Sequence, residues 1–178
     1  MNTAPSTTPS TASVVTTLRL GLLRPQDRTA WEPLARGYKA FYETEVDDAG
    51  YDAAWQRLMG GGVMLGLGAW LPSAGAEALG APGLPGQSER LVGIAHALFH
   101  ASTWSDGNCY LQDLFTADDV RGQGVAGALI AHLATLADAR GVDRLHWLTH
   151  QSNARARRLY DRVAVNKGFI RYDHPMPL

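Results

Sequence analysis

A glycine-rich turn able to bind an anion stands between a strand-like and a helix-like segment of the sequence. Its six residues are Arg121, Gly122, Gln123, Gly124, Val125 and Ala126. The residues before it, 110–116, are rich in aromatic and apolar side chains, and apolar residues recur after it at helical spacing as far as Leu136. A glycine turn that opens a helix presents unpaired backbone N–H groups and the positive end of the helix dipole. The pattern therefore predicts a site for a phosphate or pyrophosphate.

Two phosphate-binding motifs overlap in this turn. Gly122, Gly124 and Gly127 fit the dinucleotide fingerprint Gly-x-Gly-x-x-Gly, which expects an acidic residue after the next strand to hold a ribose. The nearby candidate, Asp143, comes before that predicted strand, residues 144–149. The second motif is Arg-x-x-Gly-x-Ala, which uses Arg121, Gly124 and Ala126. A turn that only allows the helix and the strand to pack closely is the structural alternative.

Residues 90–172 resemble the GNAT superfamily of N-acetyltransferases. The resemblance rests on Arg-x-x-Gly-x-Ala, on residues 91–95 and 111–115 upstream, and on the downstream order Asn153, Leu159-Tyr160 and Gly168-Phe169. It implies an acetyl-CoA-dependent N-acetyltransferase, similar to the small-amine enzymes that act on polyamines, amino acids or histone lysines. The cosubstrate-binding residues expected are the six of the turn together with Leu114, Phe115, Thr116 and Asn153. A non-catalytic acyl-CoA-binding or sensor domain is the alternative function.

Tyr160 is the candidate general acid. It follows Asn153 by seven residues, which is two helical turns, so both side chains project from nearly the same face of a helix. The resemblance implies that this face meets the coenzyme and that the tyrosine hydroxyl lies near the thioester sulfur. Packing at the edge of the core is the alternative role of Tyr160, and capping the helix is that of Asn153.

Asp113 is the candidate general base or amine anchor. A carboxylate in the otherwise apolar strand 111–115 is costly unless it is paired or faces a cleft. A structural carboxylate bonded to backbone N–H groups is the alternative. Polyamine-type members of the superfamily often carry Glu-Asp here, whereas this chain has Gln112-Asp113. Because Gln112 cannot act as a base, a water chain or a carboxylate of Glu43 or Glu45 could take that part.

Residues 43–48 form an acidic run beside the aromatic face of the first predicted helix. Clustered carboxylates there would suit a cationic amine, and the resemblance implies that the first two helices contribute to the acceptor site. A solvated loop is the alternative. The predicted acceptor-binding residues are Tyr42, Glu43, Glu45 and Gln112.

Composition bounds the remaining possibilities. The net charge of −1 gives no bulk attraction to nucleic acid, and no apolar run is long enough to span a membrane. His96 and His100, and likewise His146 and His150, stand four residues apart on predicted strands. The two members of each pair are therefore about 13 Å apart, too far to share a metal ion. The single cysteine, Cys109, fits a reducing compartment. Residues 1–13 lack the features of a signal peptide, which predicts a flexible tail and a cytoplasmic protein.

The predicted fold is a single α/β domain, 14–178. The element order is β–α–α–β–β–β–α–β–α–β, beginning with a strand at Val14–Leu22 and ending with a strand at Gly168-Phe169. This order matches the superfamily, whose fold is a mixed α+β arrangement: a mostly antiparallel sheet with a splayed parallel pair, flanked by helices. The small-amine enzymes often form dimers, so a homodimer is expected.

Overall fold

The computed structural model describes residues 18–73 and 89–176. The strands are β1 (Arg19–Leu22), β2 (Met64–Pro72), β3 (Glu89–His100), β4 (Asn108–Thr116) and β5 (Arg144–Trp147). The helices are α1 (Arg28–Phe41), α2 (Asp48–Met59), α3 (Val125–Asp138) and α4 (Ala154–Val163). The start of the first predicted strand, residues 14–17, and most of the loop 72–89 lie outside the described residues. The chain divides into two compact units, 1–147 with the sheet and 148–178 with α4.

The five strands form one mixed sheet in the order β1-β2-β3-β4-β5. Neighbouring strands run antiparallel except β4 and β5, which are parallel and are connected through α3. This arrangement confirms the predicted fold class. The two glycines of β2 do not interrupt it, because each provides room for a large neighbour. A Cβ on Gly66 would lie 2.9 Å from the Leu23 side chain, and one on Gly68 would lie 2.3 Å from the Trp70 ring.

A bulge in β4 decides which of its side chains face α1. His96 of β3 pairs with Asp113, and the next residue, Ala97, pairs with Leu111. Gln112 is therefore the extra residue, without a partner on β3, and its side chain is exposed. Directly opposed residues share a face of the sheet, so the bulge places Asp113 on the same face as His96.

The core lies on both faces of the sheet. On one face α1 and α2 pack through Trp31, Trp55 and other apolar side chains that include Ile94 of β3. On the other face Val125 and Leu129 of α3 approach β3 at Gly93, where a Cβ would lie 2.8 Å from Val125. Trp31 is only 1% exposed, so α1 is anchored tightly over the middle of the sheet.

The predicted closing strand at Gly168-Phe169 is wrong: residues 165–176 have no regular secondary structure. The reason is local. The N–H of Gly168 donates to Asn166 Oδ1 at 2.8 Å, and Gly168 has a φ of 77°, so the chain turns where a strand would have to extend. The Phe169 side chain beyond the turn is 87% exposed.

Candidate active site

The anion-binding turn has the backbone conformation that its glycines predict. Gly122 and Gly124 have φ of 83° and 88°, in the left-handed region that a side chain disfavours. Gly124 is the N-cap of α3, and no side chain caps the helix. Within the described residues, the N–H groups of Gly124, Val125 and Ala126 donate no backbone hydrogen bond outside α3. These groups are the unsatisfied donors of a helix N-terminus and can receive phosphate oxygens.

Arg121 is held at the mouth of the turn by three contacts. Its guanidinium pairs with Asp118, its Nε donates to the Thr116 carbonyl at 3.3 Å, and it lies 5.3 Å from the centre of the Phe115 ring. A second nearby carboxylate, Asp119, pairs with Arg90 of β3 at 2.6 Å. Both carboxylates would otherwise repel a phosphate, and their arginine partners offset that repulsion.

The second half of β4 has an open edge beside this turn. Strand β5 pairs with β4 only over Asn108–Leu111. On that side, residues 112–116 of β4 therefore have no strand partner in the described ranges. The open edge includes the backbone of Leu114, Phe115 and Thr116, and an extended ligand can pair with such an edge.

Asp113 lies at the centre of a buried polar network. The indole N–H of Trp31 donates to His96 Nε2 at 2.8 Å, and His96 Nδ1 lies 2.8 Å from Asp113 Oδ2. The Tyr38 hydroxyl makes a further hydrogen bond to the same carboxylate. These two partners of Asp113 are side chains, unlike the backbone N–H groups in the alternative considered from the sequence.

The network keeps Asp113 ionised. Burial would raise the pKa of this carboxyl, but the hydrogen bonds from His96 and from the Tyr38 hydroxyl, together with the positive charge of Lys39, outweigh burial and lower the pKa below its usual value. The pKa of Tyr38 moves upward, because burial and the negative charge of Asp113 both disfavour a phenolate. Asp113 is thus a persistent anion, better suited to holding a cation than to accepting a proton at neutral pH.

An open groove of about 820 Å³ adjoins the end of α1. Glu43 and Glu45 line it together with Arg36 and Lys39, so the acidic run has basic neighbours. Its later carboxylates have structural partners: Asp47 accepts from the Gly50 N–H at 2.8 Å, and Asp48 bonds to Arg36 at 2.5 Å.

The groove and Asp113 are distinct features of the first unit. Asp113 does not line the groove. Tyr42 belongs to the surroundings of Asp113, because its ring packs edge-on against Tyr38 with centroids 5.1 Å apart, and Tyr38 bonds to Asp113. Gln112 stands beside Asp113 in sequence, on the bulge.

The second unit carries Asn153 and Tyr160. Asn153 is the N-cap of α4: its Oδ1 accepts from the Ala156 N–H at 3.1 Å, and its Nδ2 donates to Thr149 at 3.3 Å. Asn153, Ala156, Arg157 and Tyr160 are all half-buried, at the spacing of a single helix face.

Sequence reasoning missed His96, Trp31 and Tyr38 as parts of the site. The signal available was a histidine in an apolar strand, and its partner could not be identified without the register that the bulge sets. The sequence also placed His100 and His146 in two different pairs, whereas their rings lie 6.3 Å apart in the structure. Burial, His100 and Arg144 lower the pKa of His146.

No group of three or more potential metal-binding side chains occurs within residues 18–73 and 89–176. No helix within those residues could span a membrane.

Solved acetyltransferase structures share this fold. A probable acetyltransferase superposes with a TM-score of 0.71 over 89% of this chain and 98% of its own, at 18% identity. An aminoglycoside acetyltransferase from an uncultured soil metagenomic sample superposes with a TM-score of 0.71 over 92% of this chain and 99% of its own, at 15% identity. At such identities the likeness shows the fold alone.

Sequence relatives define the family. A D-amino-acid N-acetyltransferase of Saccharomyces cerevisiae is 27% identical over 84% of this chain and 86% of its own length. A thialysine N-epsilon-acetyltransferase of Bos taurus is 38% identical over 48% of this chain and 49% of its own length. The acetyltransferase (GNAT) family matches residues 76–164, half of the sequence, and the chain therefore belongs to this family. It is an N-acetyltransferase of a family that uses acetyl-CoA.

Proposed function

We propose that this N-acetyltransferase transfers the acetyl group of acetyl-CoA directly to a primary amine of a small cationic acceptor. The observation that carries the proposal is Asp113, which lies on the strand that leads into the anion-binding turn. Its carboxylate is held as an anion by hydrogen bonds from two side chains, those of His96 and Tyr38. The relatives named above support an amine acceptor, since their names specify amino acids with free amino groups. Direct transfer needs two bound substrates in line and no protein nucleophile.

The residues of the turn fit the coenzyme. The N–H groups of Gly124, Val125 and Ala126 would bind the pyrophosphate, with Arg121 alongside, and the uncapped start of α3 provides the matching positive potential. Gly122 and Gln123 complete the turn. The backbone of Leu114–Thr116 would pair with the pantetheine arm and hold the thioester oxygen. Acetyl-CoA supplies the activated acetyl group when it is bound.

Carboxylates would bind the acceptor amine and remove its proton. Asp113 would bind the ammonium group of the acceptor, because its pKa is lowered and its charge is retained at neutral pH. The amine must lose a proton before it attacks, and Glu43 or Glu45, directly or through water, would take that proton. Tyr42 and Gln112 would form the sides of the acceptor site.

Two residues of the second unit have roles in the proposal. Tyr160 would donate its hydroxyl proton to the leaving thiolate, a role in which the phenol acts as a general acid. Asn153 would contact the coenzyme in addition to capping α4. A homodimer is the expected assembly, and sedimentation of the purified protein measures it directly.

A turnover screen tests the proposal. Release of free coenzyme A would be followed with polyamines, D- and L-amino acids, thialysine, aminoglycosides and a lysine peptide as acceptors. We expect a dicationic amine to give the highest kcat/KM, and Asp113→Asn to lower that value far more than Glu43→Gln. Normal turnover in Asp113→Asn, or a neutral or acidic amine as the best acceptor, would contradict the proposed acceptor site. Binding of acetyl-CoA without turnover of any amine would favour a sensor.

A further inference from the structure

His96 is a buried histidine with both ring nitrogens engaged. It is 7% exposed, and it lies between Trp31 of α1 and Asp113 of β4. An indole nitrogen is a donor and never an acceptor. His96 Nε2 must therefore accept the hydrogen bond from Trp31, which leaves no place for a proton on that nitrogen.

This contact fixes the tautomer of His96. With Nε2 accepting, the proton of the neutral ring lies on Nδ1, which then donates to Asp113 Oδ2 over 2.8 Å. The opposite tautomer would point the Nε2–H at the Trp31 N–H and leave two buried donors facing each other, a costly arrangement. Trp31, at 1% exposed, is held too firmly to turn its indole away.

We propose that His96 is a positioning residue that orients the Asp113 carboxylate, as an anion, toward the acceptor amine. The inference rests on the proposed function of Asp113 as the amine anchor. Tyr38 donates to the same carboxylate, so two donors hold it and leave part of its acceptor capacity for an ammonium group. The groups that act on the charge of Asp113 are His96 from β3 and Tyr38 and Lys39 from α1.

Two substitutions separate this role from core packing. The amide of asparagine reaches the place of His Nδ1, and that of glutamine reaches the place of Nε2. His96→Asn therefore keeps a donor to Asp113 but removes the acceptor of Trp31. His96→Gln keeps an acceptor for Trp31 but removes the donor to Asp113.

The two variants should rank in opposite order for activity and for stability. In His96→Gln, the acceptor KM should rise about 10- to 100-fold, the loss expected for a hydrogen bond to a charged group, with the KM of acetyl-CoA unchanged. His96→Asn should stay within a few-fold of wild type. It should nevertheless melt at the lower temperature, because the Trp31 N–H is almost completely buried, whereas the Asp113 side chain is 16% exposed and keeps Tyr38.

A nuclear magnetic resonance measurement tests the tautomer without any turnover. The imidazole ¹⁵N shifts of His96 should show a protonated Nδ1 and an unprotonated Nε2 in the wild-type protein. His132→Gln, on α3 at the opposite face of the sheet, is the matched control and should leave both KM values unchanged.

The outcomes are distinguishable from those of the proposed function. A wild-type protein that acetylates no amine refutes the proposed function. Where wild type is active, equal acceptor KM values for His96→Asn and His96→Gln, or activity that simply follows melting temperature, overturn the positioning role. A protonated Nε2 overturns the tautomer and the inference with it.

Discussion

Replacing Gly124 by alanine tests the phosphate turn most directly. Gly124 has a φ of 88° and is the N-cap residue from which α3 begins. A Cβ in this left-handed conformation costs about 1–2 kcal/mol. The strain is relieved when the turn moves, and that movement would redirect the N–H groups of Val125 and Ala126. Losing one hydrogen bond to a charged group costs about 1.5–3 kcal/mol, so the Kd of acetyl-CoA should rise about 10- to 100-fold.

Gly141 provides the matched control. It also has a positive φ, 69°, and a Cβ there would meet no atom within 4 Å. It lies after α3, away from the phosphate turn. Gly141→Ala should therefore carry a similar backbone strain without touching the site. In a protein of this length, 1–2 kcal/mol lowers Tm by roughly 2–8 °C, and both variants should stay folded at 25 °C.

Calorimetry with coenzyme A and acetyl-CoA, together with thermal unfolding, measures both quantities. The expected result is a similar fall in Tm for the two variants and a loss of affinity in Gly124→Ala alone. Equal affinities in two folded variants would show that the turn only packs α3 against the sheet. Binding of a nicotinamide dinucleotide in place of coenzyme A would favour the dinucleotide fingerprint.

Three further predictions concern Tyr160, Gly37 and Asp113. Tyr160→Phe keeps the ring but removes the proton, so kcat should fall about 10²- to 10⁴-fold with little change in the Kd of acetyl-CoA, and full activity would refute the acid role. Gly37→Ala should lower the free energy of unfolding by about 1 kcal/mol, measured by urea unfolding, because a Cβ there would lie 2.7 Å from the Phe115 ring and overpacking outweighs the helix propensity of alanine. The Asp113 pKa is lower in the folded protein than its usual value of 3.8, so its charge stabilises the fold above that pH and this contribution is lost as pH falls through the folded pKa. The stability difference between wild type and Asp113→Asn should therefore narrow on acidification from pH 7 toward pH 3, and a constant difference would contradict the pKa shift.

The sheet could be predicted from sequence because its pattern is local. The aromatic and apolar residues at 110–116 predicted β4 to within two residues at either end, and the apolar spacing after Gly124 predicted α3. The strand predicted to residue 149 ends at Trp147. The closing strand was wrong because a strand needs a partner, which a short motif such as Gly168-Phe169 cannot specify, while a side-chain turn at Asn166 is a purely local interaction.

The candidate site also has one part that could be predicted from local sequence and one part that could not. The glycine turn is contiguous, so its conformation could be predicted from six residues. The network around Asp113 joins α1, β3 and β4, and its residues are up to 82 positions apart in the chain, from Trp31 to Asp113. One inserted residue, Gln112, sets which side chains face α1, and no periodicity in the sequence marks that insertion.

The bulge also bears on which amine the enzyme accepts. Because Gln112 is neutral, the strand contributes a single carboxylate, Asp113, and Lys39 stands near enough to influence its charge. The groove at the end of α1 mixes Glu43 and Glu45 with Arg36 and Lys39. A dication would use Asp113 and the two glutamates, whereas a zwitterionic amino acid would place its ammonium group at Asp113 and its carboxylate toward the basic side chains. Salt separates the two cases, since screening acts over about 8 Å near physiological ionic strength and weakens the attraction of a dication more than that of a neutral zwitterion. Values of kcat/KM that fall steeply with salt for the best acceptor would support the cationic acceptor, and salt-independent values would exclude it in favour of an amino acid.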